Sequence, residues 1–155
     1  LVAGDGNIDT RDFLARADLL CANGMTVLIS DYFEYYRLRA YLNTFTKQKI
    51  GIVMGIPSLL DIFDPKYYTD LEGGILESLG RLFKNNVKLY IYPYADPLSK
   101  EFITTANAPI SPETQKLYDY LIERDCIHQL TNYNPDCLHI FSRDILKRIK
   151  AKMIG

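Results

Sequence analysis

The segment Lys49-Ile-Gly-Ile-Val-Met54, followed at once by Gly55-Ile-Pro-Ser58, decides the fold class. It is a short apolar run that ends in residues typical of turns and helix starts, as a strand buried in a parallel sheet does. Two other runs, Thr26–Ser30 and Val87–Tyr92, have the same design, and a polar or turn-forming residue follows each. Helical patterns separate the runs, so the sequence predicts stacked β-α-β units and a parallel sheet.

The length of 155 residues favours one α/β domain over residues 1–155, with a single sizeable core. We expect a Rossmann-like three-layer sandwich with a mostly parallel sheet of about four to five strands. The chain opens with Leu1 inside an apolar stretch that looks like a strand. We therefore expect the chain to be a fragment of a longer protein.

The amino-acid composition indicates which classes of binding partner to expect. The chain has 18 Lys and Arg residues against 19 Asp and Glu residues, so the formal net charge is -1. No positive excess points to nucleic acid or to an anionic membrane surface, and the apolar runs are far too short for a membrane span. Cys21, Cys126 and Cys137 are too few and too scattered for a disulfide framework, so we expect a cytoplasmic protein.

Periodicity and capping residues locate the helices. The predicted helix starts are Asp9 or Thr10, Asp31, Pro57, Gly73–Gly74, Ser111 and Ser142. Apolar residues of the first helix fall on one face at helical spacing, as in an amphipathic helix. Glu34 follows Asp31 in capping-box register. The stretch Cys137–Phe141 is predicted to be a short edge strand.

Polar residues near the predicted strand ends are the candidate ligand-binding residues. They are Asp5, Asn7, Ser30, Asp31, Ser58 and Asp96. Asp5, Asn7 and Ser58 would approach a phosphate group or its metal, and Asp31 would bind a sugar hydroxyl. Two simpler interpretations stay open. Gly4–Asn7 could be an ordinary tight turn, and Asp31 could only cap the second helix.

The predicted second helix is rich in Tyr and Arg between Tyr32 and Phe45. Because both residue types are enriched at subunit interfaces, we expect Tyr32, Tyr36 and Arg37 to lie between copies of a homo-oligomer. Stacking of a base on this surface, or a plain core stripe with solvated arginines, are the alternatives.

The sequence shows no catalytic signature. Cys126-Ile-His128 and Cys137-Leu-His139 repeat a Cys-x-His spacing, but this spacing fits no familiar zinc motif, and we predict no metal site. The sequence contains no Gly-x-Ser-x-Gly elbow, no Walker loop and no His-x-x-x-His pair. The sequence therefore identifies neither catalytic residues nor a cofactor.

A group of motifs between Ser30 and Pro93, with one near the end, carries a family resemblance. They are Ser30-Asp-Tyr-Phe-Glu-Tyr-Tyr-Arg-Leu38, Ile50-Gly-Ile-Val-Met-Gly-Ile-Pro57, Phe63-Asp-Pro-Lys-Tyr-Tyr68, Asp70-Leu-Glu-Gly-Gly-Ile-Leu-Glu77, Gly80-Arg-Leu-Phe-Lys84, Val87-Lys-Leu-Tyr90 and Ile140-Phe-Ser-Arg-Asp144. Together they resemble the carboxyl-terminal part of a longer bacterial family. Its members are labelled TonB-dependent receptor or nicotinate- or nicotinamide-nucleotide adenylyltransferase.

The resemblance implies a link to pyridine-nucleotide metabolism. Adenylyltransferases of that class use a His-x-Gly-His motif after their first strand, and neither His128 nor His139 stands in such a motif. The resemblance therefore implies that any adenylyl transfer depends on an upstream part of the longer protein. We expect a domain that binds a small phosphorylated or nucleotide ligand within a larger cytoplasmic enzyme. A non-catalytic oligomerisation domain is the alternative.

Overall fold

The computed structural model of the chain describes residues 10–96, 101–140 and 145. It shows a mixed α/β protein whose described part holds five α-helices and a small parallel sheet of three strands. The chain divides into two compact units, Leu1–Tyr32 and Phe33–Gly155. None of the described helices is both long enough and apolar enough to cross a membrane.

The first unit contains helix α1, Thr10–Ala22. A helix at this position is as predicted. None of its residues is buried, and the Leu14 and Leu19 side chains are 49% and 64% exposed. The described residues of this unit form no second helix or strand that could cover the apolar face of α1.

The predicted strand Thr26–Ser30 is also wrong, because these residues form neither strand nor helix. Leu28 and Ile29 are each 53% exposed, so the apolar run is not buried as expected. A strand requires a hydrogen-bonded neighbour, and no described strand pairs with this segment. An apolar β-branched run alone did not determine the structure here.

The second unit begins with helix α2 and carries the sheet. Its elements, in chain order, are α2 Tyr35–Phe45, β1 Ile50–Gly55, α3 Ile56–Ile62, a 3-10 helix Pro65–Tyr68, α4 Gly74–Leu82, β2 Val87–Tyr92, β3 Tyr94–Ala95, β4 Phe102–Ile103, α5 Gln115–Glu123, β5 Ile127–Gln129 and a 3-10 helix Pro135–Cys137. The short strands β3 and β4 pair with each other in antiparallel orientation and form a separate two-stranded sheet.

The sheet has the strand order β1-β2-β5, and both pairings are parallel. The register places Ile52 opposite Leu89, and Leu89 opposite Ile127. The predicted strands at Lys49–Met54 and Val87–Tyr92 and their parallel pairing are confirmed. Strand β5 was not predicted, because its three residues, Ile-His-Gln, are too few and too polar to stand out as a buried run.

One face of the sheet and the helices of this unit form the core. Side chains alternate along a strand, so Val87, Leu89 and Ile91 all point to the same face of β2, and all three are buried. The core side chains contributed by helices are Tyr36, Ile56, Leu59, Ile62, Leu79, Leu82, Tyr118 and Leu121. The sheet is therefore held by helices that pack on this face.

The other face of the sheet is open within the part of the chain that the structure describes. Val53 is 67% exposed, although it lies opposite Tyr90 in the parallel register. Tyr90 lies across Gly51, where an added Cβ would come within 3.0 Å of the ring, and stacks on His128 with 5.3 Å between ring centroids. A layer on this face would complete the expected three-layer sandwich, which stays a prediction.

Two helices begin about one turn later than the sequence predicts. Helix α2 starts at Tyr35 rather than at Asp31, with Glu34 at the N-cap and no side-chain capping bond. The capping box is therefore wrong, since Glu34 precedes the helix instead of lying inside its first turn. Helix α5 starts after a turn closed by the Thr114 N–H, which donates to the Ser111 carbonyl at 2.9 Å.

The edge strand predicted at Cys137–Phe141 is wrong for residues 137–140. Cys137 closes a 3-10 turn that begins with Pro135, and the Asn134 side chain accepts a hydrogen bond from the Asp136 N–H at 2.9 Å. An Asx turn before proline competes with extended pairing here. The predicted start of the final helix, Ser142, lies outside the described residues.

A buried arginine forms hydrogen bonds that connect α2 to the segment directly after α4. Arg39 is 8% exposed, and its Nε and Nη2 both donate to the Lys84 carbonyl, at 3.2 and 2.9 Å. Asn85 and Asn86 follow with positive φ angles of 64° and 59°, and β2 begins at the next residue. Arg39 therefore fixes the turn that leads from α4 into the central strand.

We predict that Arg39→Met lowers the free energy of unfolding by about 2 kcal/mol, because two charge-assisted hydrogen bonds are lost and the carbonyl is left unpaired. Arg37→Met is the matched control on the same helix, since the Arg37 side chain is 55% exposed. This control should cost less than about 0.5 kcal/mol. Urea denaturation of the full chain measures both, and equal losses would contradict the assigned role.

Tyr118 makes part of the core sensitive to high pH. Its ring meets Phe63 edge to face at 5.2 Å, and its hydroxyl donates to the Thr105 carbonyl at 2.7 Å. Burial raises the pKa of Tyr118 from 10.0 to about 12. The folded state therefore keeps the phenol proton at a pH where the unfolded chain has lost it.

Stability should consequently fall as pH rises from about 10 through about 12, since the folded pKa lies above the unfolded value. We predict a steeper loss of melting temperature between pH 9 and about 11 in the wild type than in Tyr118→Phe. Tyr120→Phe, on the same helix and 58% exposed in the wild type, is the control and should keep the wild-type slope. Parallel slopes for all three proteins would show that Tyr118 is not responsible.

Candidate ligand-binding site

A cavity of about 210 Å³ lies beside α3 in the second unit. Its lining residues are Phe33, Glu34, Tyr35, Ser58, Asp61, Ile62, Tyr67 and Tyr68. Ser58 belongs to the first turn of α3, which follows β1 directly. The cavity therefore lies next to the carboxyl end of a parallel strand, where α/β proteins commonly bind ligands.

The passage from β1 to α3 positions the inner wall of the cavity. Gly55 is both the last residue of β1 and the N-cap of α3, and Pro57 occupies the first turn. Because no loop separates the two elements, the sheet fixes the direction of the helix. Ser58 and Asp61 are three residues apart, so both lie on one side of α3.

The 3-10 helix that follows α3 supplies the second wall. Asp64 caps the start of this 3-10 helix, and its side chain accepts a hydrogen bond from the Lys66 N–H at 3.1 Å. Tyr68 is buried, and its hydroxyl donates to the Ile62 carbonyl at 3.0 Å. Tyr67 is 39% exposed. One tyrosine ring is thus fixed in the wall while the other stays accessible.

The start of α2 supplies the third wall. Glu34 and Tyr35 are both half-buried, whereas Phe33 is 77% exposed and so lies at the mouth. The Glu34 carboxylate approaches the Arg37 Nε at 3.4 Å. The Tyr36 hydroxyl accepts a hydrogen bond from Arg37 at 3.3 Å, and this bond is the main cause that raises the pKa of Arg37.

The charged residues that line the cavity are acidic, namely the half-buried Glu34 and the exposed Asp61. Among the described residues that line it, Glu34 and Asp61 are charged, and none is Lys, Arg or His. Burial is the main cause that raises the pKa of the Tyr68 phenol, and the charges of Glu34 and Asp61 both add to it. The charges of both carboxylates therefore act on the same lining residue, Tyr68.

Two cations lie next to the lining residues. Arg37 pairs with Glu34, and Lys66 pairs with Asp64. The Lys66 ammonium lies over the Tyr67 ring, 4.7 Å from its centroid. The Arg37 and Lys66 side chains are 55% and 64% exposed, so both can reach solvent. The negative interior thus has positive charges beside it.

Tyr36, which the sequence predicts at a subunit interface, is instead 6% exposed in the core. Its ring lies 6.5 Å from that of Tyr68. Two guanidinium groups, of Arg37 and Arg81, lie over it at 6.0 and 5.7 Å. Tyr36 supports the cavity wall from behind and cannot present its ring to a partner in this conformation, because α2 and α4 bury it within the unit.

Of the four predicted ligand-binding residues that the structure describes, Ser58 is the one that lines the cavity. Asp96 is half-buried at the end of strand β3, and its N–H donates to the Glu101 carbonyl at 2.8 Å. Ser58 and Asp96 therefore follow different strands, and Asp96 is not part of the lining.

Ser30 and Asp31 are exposed residues of the first unit, as is Tyr32, which is 38% exposed. The expected strand end at Ser30 does not form, and the helix that Asp31 was expected to cap starts at Tyr35. Asp5 and Asn7 lie outside the described residues. Their predicted ligand roles stay predictions.

Sequence reasoning missed most of the lining. The position of Glu34 three residues after Asp31 indicates a capping box, and Asp61 belongs to no motif that would mark it as a ligand-binding residue. The available signal was the aromatic segment Phe63–Tyr68. It follows α3 directly, so its rings had to lie near the end of β1.

A second cavity, of about 350 Å³, lies where the 3-10 helix meets the segment before α5. Its lining residues are Leu60, Phe63, Asp64, Pro65, Pro109, Ile110, Ser111 and Glu113. None of the predicted site residues lines this cavity. None of the described residues that line it is Lys, Arg or His. The described residues also contain no group of three or more His, Cys, Asp or Glu side chains that could hold a metal ion.

Comparisons with protein-family models, with curated protein sequences and with solved structures found no match to this chain. The function is therefore argued from the geometry of the cavity and from the chemistry of the residues around it.

Proposed function

We propose that this chain binds a nucleotide or another phosphorylated metabolite, with the organic part of the ligand in the cavity beside α3. The observation that carries the proposal is the combination of aromatic walls, hydrogen-bonding groups and neighbouring cations next to the carboxyl end of β1. The Rossmann-like frame, the larger bacterial enzyme and the link to pyridine-nucleotide metabolism remain parts of this proposal that rest on the sequence.

The size of the cavity indicates how much of the ligand it holds. A volume of about 210 Å³ is below the roughly 300–1,000 Å³ of pockets that enclose a whole drug-sized ligand. One ring or one head group fits, while the rest of the molecule must lie outside. Tyr67 and Phe33 offer exposed ring surface for stacking, and the Ser58 hydroxyl can donate or accept a hydrogen bond.

The part outside the cavity would meet Arg37 and Lys66. Exposed ion pairs such as Arg37–Glu34 are worth about 0–1 kcal/mol, so either cation can turn to a phosphate at little cost. A guanidinium binds phosphate oxygens with a planar fork of donors, and an ammonium binds them as a point charge. The arrangement suits a ligand with an organic head and a phosphate tail.

We predict that nicotinamide mononucleotide or ATP raises the melting temperature of the full chain, and that inorganic phosphate alone binds more weakly. Tyr67→Leu should weaken nucleotide binding about tenfold by removing stacking surface. Arg37→Gln and Lys66→Gln should lower the affinity for phosphorylated ligands and its salt dependence. Calorimetric titration at two salt concentrations measures these changes.

Lys116→Gln is the control, because Lys116 is an exposed residue of α5 and is not part of the lining. It should bind like the wild type. Silence of the wild-type chain across the whole panel would overturn the proposed function.

The open face of the sheet favours a second candidate function, self-assembly. Purely parallel sheets normally have both faces covered, yet Val53 on β1 is 67% exposed. Tyr90 and His128 continue the same face on β2 and β5. A second copy of this chain packing there would cover the face and make the protein an oligomerisation domain. The sequence also suggests an oligomerisation domain as its alternative, but through the Tyr-rich helix and the Phe63–Asp70 loop.

We predict that Val53→Lys lowers self-association in sedimentation experiments, because an ammonium would be buried in the contact. Leu76→Lys is the matched control, since Leu76 is 62% exposed on α4 and not on the sheet. A wild-type chain that stays monomeric at every concentration tested would exclude this candidate.

A further inference from the structure

Aromatic rings form a large part of the cavity lining. Phe33 and Tyr35 come from the start of α2, and Tyr67 and Tyr68 come from the 3-10 helix. The face of an aromatic ring carries negative electrostatic potential, and it attracts a cation that lies within about 6 Å of the ring centroid. Rings arranged around a small space are a known way to recognise ammonium groups.

The charged groups of the lining point to the same ligand chemistry. Glu34 has a partner in Arg37 at 3.4 Å, whereas Asp61 is exposed and forms no ion pair with a described residue, so its carboxylate is free to meet a ligand. A neutral or anionic group in the cavity would leave the Asp61 carboxylate partly desolvated and unpaired, which is unfavourable. A cationic group would supply the missing charge.

Cations already lie over the tyrosine rings next to the cavity. The Lys66 ammonium is 4.7 Å from the Tyr67 centroid, and the Arg81 guanidinium is 5.7 Å from the Tyr36 centroid. Lys66 forms an ion pair with Asp64 and is not one of the residues that line the cavity. These contacts show that the potential of this region is compatible with positive charge close to aromatic faces.

We infer that the part of the ligand inside the cavity is a cation, either a quaternary or protonated amine or a positively charged aromatic ring. The inference rests on the proposed function, and it names the chemistry of the head group while Arg37 and Lys66 serve the phosphate outside. A ligand of this class is a zwitterion whose two charges meet opposite charges of the protein.

Choline and 3,3-dimethylbutan-1-ol provide the test, because they have nearly the same shape and differ in the charge of the trimethylated head. Each is titrated into the full chain while the backbone amide signals of Tyr67 and Tyr68 are followed by NMR. We expect choline to shift these signals and to bind at least about tenfold more tightly than the neutral alcohol.

Asp61→Asn should weaken choline binding about tenfold and leave the alcohol unchanged, since only an interaction between charges is removed. Glu72→Gln is the control, because it removes one negative charge from an exposed residue that is not part of the lining. Tyr67→Leu should weaken choline binding as well. Far-ultraviolet circular dichroism of each variant shows whether it is folded.

The outcomes separate this inference from the proposed function. If the alcohol binds as well as choline, the cavity is a binding site but not one for cations, and the inference is overturned alone. If neither probe shifts the cavity signals, the inference is also overturned, whereas the nucleotide panel still decides the proposed function. Loss of choline binding in Asp61→Asn but not in Glu72→Gln supports the inference.

Discussion

The direct passage of β1 into α3 is the constraint on which the rest of the second unit depends. With Gly55 serving both elements, the helix has no loop in which to reorient. One side of α3 places Ile56, Leu59 and Ile62 in the core, each at most 2% exposed. Burial of such side chains contributes about 1.5–3 kcal/mol each, so the core holds the helix firmly. The opposite side, with Ser58, then becomes a rigid wall of the cavity.

The sequence allowed part of the sheet to be predicted and misled elsewhere. Strands β1 and β2 are continuous apolar runs bounded by turn residues, and they pair in parallel as expected. Thr26–Ser30 has the same local pattern but forms no strand, because pairing depends on a neighbour that a short window cannot reveal. Strand β5 is the opposite case. Its residues show no clear strand pattern, yet they form a strand because they pair with β2.

The same distinction applies to the candidate site. Ser58 could be predicted, because it follows a strand that the sequence identifies clearly. Glu34 and Asp61 could not, since their significance comes from the proximity of α2 to α3, and this is a tertiary relation. Tyr36 shows the converse case, because the Tyr/Arg-rich pattern of its helix is typical of an interface, whereas the Tyr36 ring is buried in the core. Residue type indicated chemistry here, whereas burial decided its location.

The sequential strand order has a consequence for how the protein is made. In β1-β2-β5, each strand after the first pairs with the member of this sheet that comes before it in the sequence. Crossovers between parallel strands are right-handed as a rule, and in this strand order such crossovers bring the connecting helices to one face. As the polypeptide leaves the ribosome, each new strand can therefore join an edge that already exists. No earlier pairing has to open to admit a later strand. The sheet can grow in the order of translation.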